Sequence, residues 1–192
     1  AAAGIDADGK LDAQNVTVSS NTGSSDTGID LSYTTSGKSI IEASTFEDLN
    51  DGISVNEEIP LQVSNSTFTN MGDEGIEINI ATTNSEEITI QDNNFDTIAQ
   101  NAILLSESTA NYDGAVTIVR NNFESITGFA ILADDNNDDA DDAEDTLAGG
   151  SYNFEGNYYG ARSGPSGGDA GVDGTGSELD LDGQATFAPF SA

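Results

Sequence analysis

Carboxylates dominate the side chains of this sequence that could bind a ligand or transfer a proton. The 192 residues include 35 Asp plus Glu and 4 Lys plus Arg, with no His and no Cys, for a formal net charge of -31. The absence of imidazole removes the commonest general base, and the absence of thiols removes disulfides and thiolate metal sites. The chemistry open to the chain is that of carboxylates, as ligands of hard cations or as acid and base pairs.

Two acidic segments have the composition of a calcium site. The first is Asp6-Ala7-Asp8-Gly9 with Asp12, which resembles the start of a calcium loop but lacks the bidentate Glu that completes an EF-hand. The second carries its carboxylates on Asp134, Asp135, Asp138, Asp139, Asp141, Asp142, Glu144 and Asp145. Ca²⁺ takes about six to eight oxygen ligands, so both segments are candidate calcium sites. The alternative is a solvated acidic surface, which the abundance of acid along the chain favours.

Arg120 is the cation that lies inside the repeats described below, one repeat after Asp92. Because neighbouring strands lie about 5 Å apart, the two side chains are predicted to form a salt bridge. The alternative is a lyase in which Arg120 removes a proton beside bound Ca²⁺. A glycosidase would instead need two carboxylates roughly 5 to 9 Å apart in a groove lined by aromatic rings, but the chain has no Trp and most of its aromatic residues fall in predicted core positions.

One unit recurs along the chain and must position these side chains. An aliphatic residue is followed by a small polar residue three positions later, an aromatic residue five later and an apolar residue eight later, and the unit closes with Gly or Ala before an apolar-x-apolar triplet. The units open at Val16, Ile41, Val63, Ile90, Ile118 and Phe154. The aromatic residues are Phe46, Phe68, Phe95, Phe123 and Tyr159, and the unit at Val16 has Asn21 in that place.

The repeats alternate apolar and polar residues with a period of two, as in Ile76-x-Ile78 and Val116-x-Ile118, which indicates short strands rather than helices. A single unit cannot bury its apolar face, whereas units stacked about 4.8 Å apart build a continuous core. The sequence therefore predicts an all-β solenoid of about six coils. We assign residues 1–15 to an N-terminal segment, 16–166 to the solenoid and 167–192 to a Gly- and Asp-rich linker with a C-terminal capping or exchanged strand, placed at residues 185–190.

Stacking of the units predicts two further features. The small polar residues should form a hydrogen-bonded ladder of side chains: Ser19, Ser44, Ser66, Asn93, Asn121 and Asn157. The loops that follow the closing triplets all fall at the same place in the repeat. They are therefore expected to project from one face, which in solenoids is often the binding face.

The repeated I-x-x-N-x-F pattern with its closing G-I, and the run Asn157-Tyr158-Tyr159-Gly160-Ala161-Arg162-Ser163-Gly164-Pro165, resemble the NosD-like, pectin-lyase-like right-handed parallel β-helix proteins. The last coil of those proteins often carries N-x-W-G-x-x-x-G-P, and Tyr159 stands here for the Trp. The resemblance spans about residues 40 to 165 and implies a right-handed parallel β-helix. It selects no activity, because the superfamily includes polysaccharide lyases, glycoside hydrolases, copper-site accessory proteins and surface proteins of halophilic archaea.

The charge also indicates the environment of the chain. A charge of -31 is strongly self-repelling in dilute buffer but is screened at about 1 M salt, where the Debye length falls to about 3 Å, so we expect a halophilic archaeon as the source. Nucleic acid and anionic membranes are poor partners for such a surface, and the longest apolar run, residues 129–133, is too short to insert into a bilayer. Sequons at Asn15 and Asn65 are predicted glycosylation sites and, with the start at Ala1, indicate an extracellular or cell-surface location.

These observations predict a non-enzymatic structural or surface module, such as a subunit of a cell-surface layer, an adhesin or a filament. Its partner would be a second copy of the chain, docked head to tail through uncapped coil ends; the alternative is a monomer whose terminal segments fold back as caps. Calcium is the one cofactor expected. The alternative is a polysaccharide-active lyase or hydrolase, or a carbohydrate-binding domain, with extracellular polysaccharide as its partner.

Overall fold

The computed structural model describes residues 3–20, 26–32, 37–80, 86–107, 114–134, 151–161, 165–166 and 176–180. These residues form strands separated by bends and contain no α-helix. The strands of this described part are, in chain order, β1 (Ala3–Ala7), β2 (Asp12–Gln14), β3 (Thr17–Ser19), β4 (Thr27–Leu31), β5 (Ser39–Glu42), β6 (Thr45–Glu47), β7 (Asp51–Val55), β8 (Leu61–Ser64), β9 (Thr67–Met71), β10 (Ile76–Ile80), β11 (Ile88–Gln91), β12 (Asn94–Ile98), β13 (Ile103–Glu107), β14 (Ala115–Val119), β15 (Asn122–Ile126), β16 (Phe129–Asp134), β17 (Ser151–Asn153), β18 (Pro165–Ser166) and β19 (Gly176–Asp180).

Three parallel sheets run along the molecule. The first sheet has the order β1-β4-β7-β10-β13-β16-β19-β18, the second β17-β14-β11-β8-β5-β2, and the third β15-β12-β9-β6-β3. From β2 to β17 the chain passes through the second, third and first sheets in turn, so that strands of successive coils pair within each sheet. The predicted all-β parallel solenoid is confirmed. Its described part has five complete three-strand coils and a partial sixth, slightly fewer than predicted.

The parallel pairing extends beyond the boundaries assigned to the solenoid at residues 16 and 166. Strand β1 pairs with β4, and β2 pairs with β5, so the N-terminal segment already contributes to two sheets. At the other end β19, from the segment assigned as a linker, pairs with β16 and with β18. Main-chain pairing needs no apolar side-chain pattern, so a search for repeated side chains does not detect these strands. Residues 185–190, where a terminal strand was predicted, lie outside the described residues.

The first coil has a different register from the one predicted for it. Ala13 lies opposite Ile41 and Val18 lies opposite Phe46. The coil therefore begins three residues before Val16, the residue at which the repeat search placed its opening.

Two details of the prediction for that coil are corrected by this register. Ser19 lies opposite Glu47 and not in the column of small polar residues. Val18, and not Asn21, takes the place of the aromatic residue. The register predicted for this coil was wrong because Ala13 and Val18 are smaller than the residues at the same positions of later coils, so the apolar pattern of the first coil is weak.

The aromatic residues form one continuous stack inside the solenoid. Successive ring centroids are 4.8, 4.7, 5.2 and 5.5 Å apart, in the order Phe46, Phe68, Phe95, Phe123 and Tyr159. Each of these side chains is buried. A Cβ on Gly52 would lie 2.6 Å from a ring carbon of Phe68 and against the carbonyl oxygen of Gly75, so the glycine before the closing triplet makes room for the ring.

The predicted ladder of small polar side chains is confirmed in the later coils. The backbone N–H of Asn93 donates to Oδ1 of Asn121 at 3.0 Å, and that of Asn121 donates to Oδ1 of Asn157 at 2.8 Å. In the earlier coils the N–H of Ser44 donates to Oγ of Ser66, and the N–H of Ser66 donates to Oδ1 of Asn93. All these side chains are buried, so the ladder satisfies main-chain groups that the bend leaves without a sheet partner.

Residues other than glycine adopt positive φ at two corners of successive coils. The first corner holds Asn15, Ala43, Asn65, Asp92 and Arg120, with φ from 49° to 57°. The second holds Asp48, Asn70, Thr97 and Ser125, with φ from 55° to 60°. Asn and Asp enter this left-handed region readily, whereas a β-branched residue such as Thr97 is strongly disfavoured there.

We expect Thr97→Asn to raise the free energy of unfolding by about 0.5 to 1 kcal/mol, because Asn tolerates the left-handed backbone better than Thr. Asn70 occupies the same corner one coil earlier and donates from Nδ2 to Oδ1 of Asp48 at 3.2 Å, so the site accepts an amide. Urea denaturation measures the change. The reciprocal variant Asn70→Thr should lose stability by a similar amount, and a Thr97→Asn protein no more stable than the original would contradict this account.

Candidate functional site

The structure does not gather the first predicted set of calcium ligands into one group. Asp6, Asp8 and Asp12 are exposed, with Asp6 in β1 and Asp12 in β2, on different sheets. Asp134 ends β16. The remaining predicted ligands lie outside the described residues: Asp135, Asp138, Asp139, Asp141 and Asp142. No group of three or more metal-binding side chains found among the described residues includes any of these, and calcium binding by them stays a prediction.

The two sequon asparagines, Asn15 and Asn65, share the first left-handed corner. Both are exposed, with φ of 56° and 52°, and Ala43 lies between them in the column. Asn65 faces outward at the same corner as Asp92 and Arg120. Glycosylation of either asparagine stays a prediction.

Arg120 and Asp92 form the predicted salt bridge at the same corner. The guanidinium donates through Nε to Oδ1 at 2.8 Å and through Nη2 to Oδ2 at 2.7 Å, and Nη2 also donates to Oε1 of Gln91. The hydrogen bond from Arg120 holds the pKa of Asp92 below its usual value. A second ion pair joins Lys38 to Glu87 at 2.7 Å. Arg120 thus ties two coils together on the surface.

A cluster of carboxylates that the sequence analysis did not single out lies at the turn from the third sheet to the first. We call it the corner cluster; its members are Asp51, at the start of β7, and Asp73 and Glu74, just before β10. Because Ile53 pairs with Ile76, Glu74 stacks directly on Asp51 of the preceding coil. Main-chain hydrogen bonds of 2.9 to 3.1 Å join the two turns, so the backbone holds these side chains at the spacing of adjacent strands.

The corner cluster is tightly spaced and incompletely hydrogen-bonded. One carboxylate oxygen from each of its three residues lies within 4.8 Å of the other two. Asn50 donates from Nδ2 to both oxygens of Asp51 at 3.2 Å, and Asn101 donates from Nδ2 to Oε1 of Glu74 at 3.2 Å. The Oδ1 atom of Asp73 is buried and finds no hydrogen-bond donor in the described part of the chain.

Burial and like charge act together on the corner cluster. Glu74 is 7% exposed. Burial, followed by the charge of Asp73, raises the pKa of Glu74 to about 8, against the opposing hydrogen bond from Asn101. Burial and the charge of Asp51 also raise the pKa of Glu77, in β10. Neither ion pair of the described residues involves the cluster, so its negative charge has no cationic side chain to offset it there.

We expect the free energy of unfolding, measured in a chelator, to fall as the pH rises from about 4.5 to about 8. In this window folded Glu74 keeps a proton that the unfolded chain releases, so the folded state binds more protons and rising pH favours unfolding. The Glu74→Gln variant cannot ionise, and its stability relative to the original should grow across the window by an amount on the order of a few kcal/mol and then level off. Urea titrations below, within and above the window test this.

The matched control for this pH profile is Glu47→Gln, which changes an exposed glutamate in β6. Its stability should follow that of the original protein at every pH. Parallel profiles for Glu74→Gln and the original protein would contradict the pKa assigned to Glu74.

A cleft of about 470 Å³ opens beside the corner cluster. Part of its lining comes from Glu74, Gln100, Asn101, Leu104, Phe129 and Leu132. Glu74 and Asn101 are buried, Gln100 is exposed, and the three apolar side chains are half-buried. The cleft therefore combines a carboxyl group, two amides and an apolar wall that includes one aromatic ring.

The sequence did hold a signal for the corner cluster. Asp51 and Glu74 occupy the same place in consecutive repeats, immediately before Gly52 and Gly75, so stacking had to bring their charges together. The burial of Glu74 could not be predicted from the repeats. The position that Asp51 and Glu74 share holds polar residues in some repeats and an apolar residue in another, so it gives no consistent signal of burial.

Comparisons with known proteins address the family. No helix of the described residues is long and apolar enough to cross a membrane. Searches of curated proteins and of solved structures gave no match. A family model described as the right-handed β-helix region matches residues 2–147, a range that contains all five complete coils seen in the structure. The chain therefore belongs to the right-handed β-helix family.

Proposed function

We propose that this chain is a non-enzymatic extracellular structural module, adapted to high salt, that serves in a cell-surface layer, an adhesin or a filament. The observation that carries the proposal is the unbroken stack of five rings, with centroids 4.7 to 5.5 Å apart through successive coils. Side chains in such register make a rod whose repeats support one another along its axis. A formal charge of -31 and two exposed sequon asparagines support a salt-exposed, exported surface.

The likeness to NosD-like and pectin-lyase-like β-helix proteins, which include surface proteins of halophilic archaea, supports the same proposal. The loops after β7, β10, β13 and β16 all connect the first sheet to the second. The ends of these four strands stack in successive coils, so the connections begin at one corner. Connections that begin at the same corner of every coil suit a module that presents a surface to its surroundings.

The N-terminal end of the rod supports assembly with a second copy. Strands β1, β2 and β3 are the outermost strands of the three sheets at this end, and their edges can pair with another chain. Ile5, Leu11 and Val18 are only partly buried there. Contact between unlike ends is heterologous and extends into a filament when the rotation does not close.

Light scattering and electron microscopy in molar salt, with and without a chelator, test the structural proposal. We expect rods that lengthen with protein concentration. A monomer of unchanged mass at every concentration, with or without the chelator, would overturn the filament arrangement. A glycan array and assays of lyase and hydrolase activity at about 1 M salt or above test the enzymatic alternative, and turnover in any of them would overturn the non-enzymatic proposal.

The second candidate function is action on, or binding of, a polysaccharide at the cleft. The observation that favours it is the position of Glu74 in the lining of the cleft, where a raised pKa of about 8 keeps it protonated beside the other two residues of the corner cluster. A glycosidase uses such a pair, with one carboxyl group as the acid and another as base or nucleophile. Loss of turnover in Glu74→Gln, with turnover kept in Glu47→Gln, would assign the acid. Turnover lost on removal of Asp92 and Arg120 would instead point to a lyase at the first corner.

A further inference from the structure

The corner cluster concentrates negative charge at a point that the protein does not neutralise. Glu74 is 7% exposed, and its carboxylate, with those of Asp51 and Asp73, supplies three oxygens within 4.8 Å of one another. Carboxylates at this spacing in a partly buried site repel one another strongly. They remain together only with a proton or a cation between them.

A second observation, independent of the clustering, concerns one oxygen. Oδ1 of Asp73 is shielded from solvent and accepts no hydrogen bond from any described residue, although the other oxygen, Oδ2, lies 3.5 Å from Nδ2 of Asn50. A buried carboxylate oxygen without a donor is costly. The amides of Asn50 and Asn101 approach other oxygens of the cluster and leave this one for another partner.

We propose that Asp51, Asp73 and Glu74 bind a divalent cation of the calcium class. Ca²⁺ holds oxygen ligands at about 2.4 Å, so two ligands on opposite sides of the ion are up to about 4.8 Å apart. The three carboxylate oxygens lie within that distance of one another. A donor set of oxygens alone selects a hard cation, and Ca²⁺ accepts irregular coordination where Mg²⁺ requires a near-octahedral shell.

The site joins two coils of the solenoid. Asp51 belongs to the coil of β5, β6 and β7, whereas Asp73 and Glu74 belong to the coil of β8, β9 and β10. A bound cation would therefore link the side chains of successive coils, in addition to the main-chain hydrogen bonds that already join them. The site is separate from Asp6 and Asp8, and it does not depend on the structural role proposed above.

Thermal unfolding of the full chain in molar KCl, with millimolar CaCl₂ or with a chelator, tests the site. We expect Ca²⁺ to raise the Tm of the original protein by about 5 °C. In Asp73→Asn this rise should disappear, while the Tm in chelator should increase, because the substitution removes repulsion and not a bond. Compared with the original protein, Asp73→Asn should therefore have a higher Tm in chelator and a lower Tm in CaCl₂. This pattern is specific to a cation site, since replacing a purely structural aspartate would change the Tm in the same direction in both conditions.

Calorimetric titration with CaCl₂ supplies a second readout that survives if Asp73→Asn fails to fold. Ca²⁺ titrated into the folded protein at neutral pH and molar salt should give a saturable binding step. Glu74→Gln should lose the tightest binding step, and the matched variant Glu47→Gln, at an exposed glutamate in β6, should keep it. An original protein without saturable Ca²⁺ binding, or a Glu74→Gln protein that binds equally well, would overturn the proposal.

Discussion

Phe95→Ala is expected to lower the free energy of unfolding by about 3 to 5 kcal/mol. Phe95 is buried in the middle of the aromatic stack, with ring centroids 4.7 Å from Phe68 and 5.2 Å from Phe123. Removing the ring leaves a cavity that the neighbours cannot close, because the parallel strands above and below keep their spacing. Urea denaturation at constant molar salt measures the loss.

The control for this prediction is Phe129→Ala. Phe129 is half-buried at the start of β16 and lines the cleft instead of the stack. Its loss of stability should be markedly smaller, because solvent already reaches the ring and can fill the space. Equal losses for the two variants would show that burial in the stack is not what stabilises the rod.

Transfer from molar salt to dilute buffer at neutral pH is expected to unfold the protein. The formal charge is -31, and the Debye length grows from about 3 Å at 1 M salt to about 10 Å at 0.1 M. The carboxylates that cover the surface then repel one another with less screening. Far-ultraviolet circular dichroism should show the β-structure lost on dialysis and recovered when salt is restored.

Acidification separates charge repulsion from other effects of salt. Near pH 4 many carboxylates take up a proton, so the protein in dilute buffer should regain β-structure as its charge falls. Sucrose, which strengthens burial without screening charge, should restore much less structure at neutral pH. A full β-spectrum in dilute neutral buffer would contradict adaptation to high salt.

The core of the solenoid could be predicted because apolar residues recur at the same positions of successive repeats. Phe46, Phe68 and Phe95 sit at one position of consecutive repeats, and identical positions must stack when each coil pairs with the next. The prediction failed in the first coil, where Ala13 and Val18 replace the larger residues. It also missed β19, which joins the first sheet through its backbone.

The corner cluster was harder to predict than the core. The densest runs of acidic residues lie near Asp6 and between residues 134 and 145. Burial and stacking, and not local density, decide which carboxyl groups shift one another's pKa. Glu74 is one acid in an unremarkable stretch of sequence, and its environment depends on Asn101, a residue one coil away that caps it from above. The pairing of Arg120 with Asp92, by contrast, followed from repeat position alone.

The side-chain ladder has a mechanical consequence. From Ser44 to Asn121 its bonds join residues 22, 27 and 28 positions apart, so one coil of chain lies between each bonded pair. A force applied to the two termini should therefore unfold the coils one at a time, starting from an end. The unfolding of one coil should increase the contour length of the chain by about 70 to 100 Å. Because the coils differ in length, the sizes of successive steps would show the order in which the coils unfold.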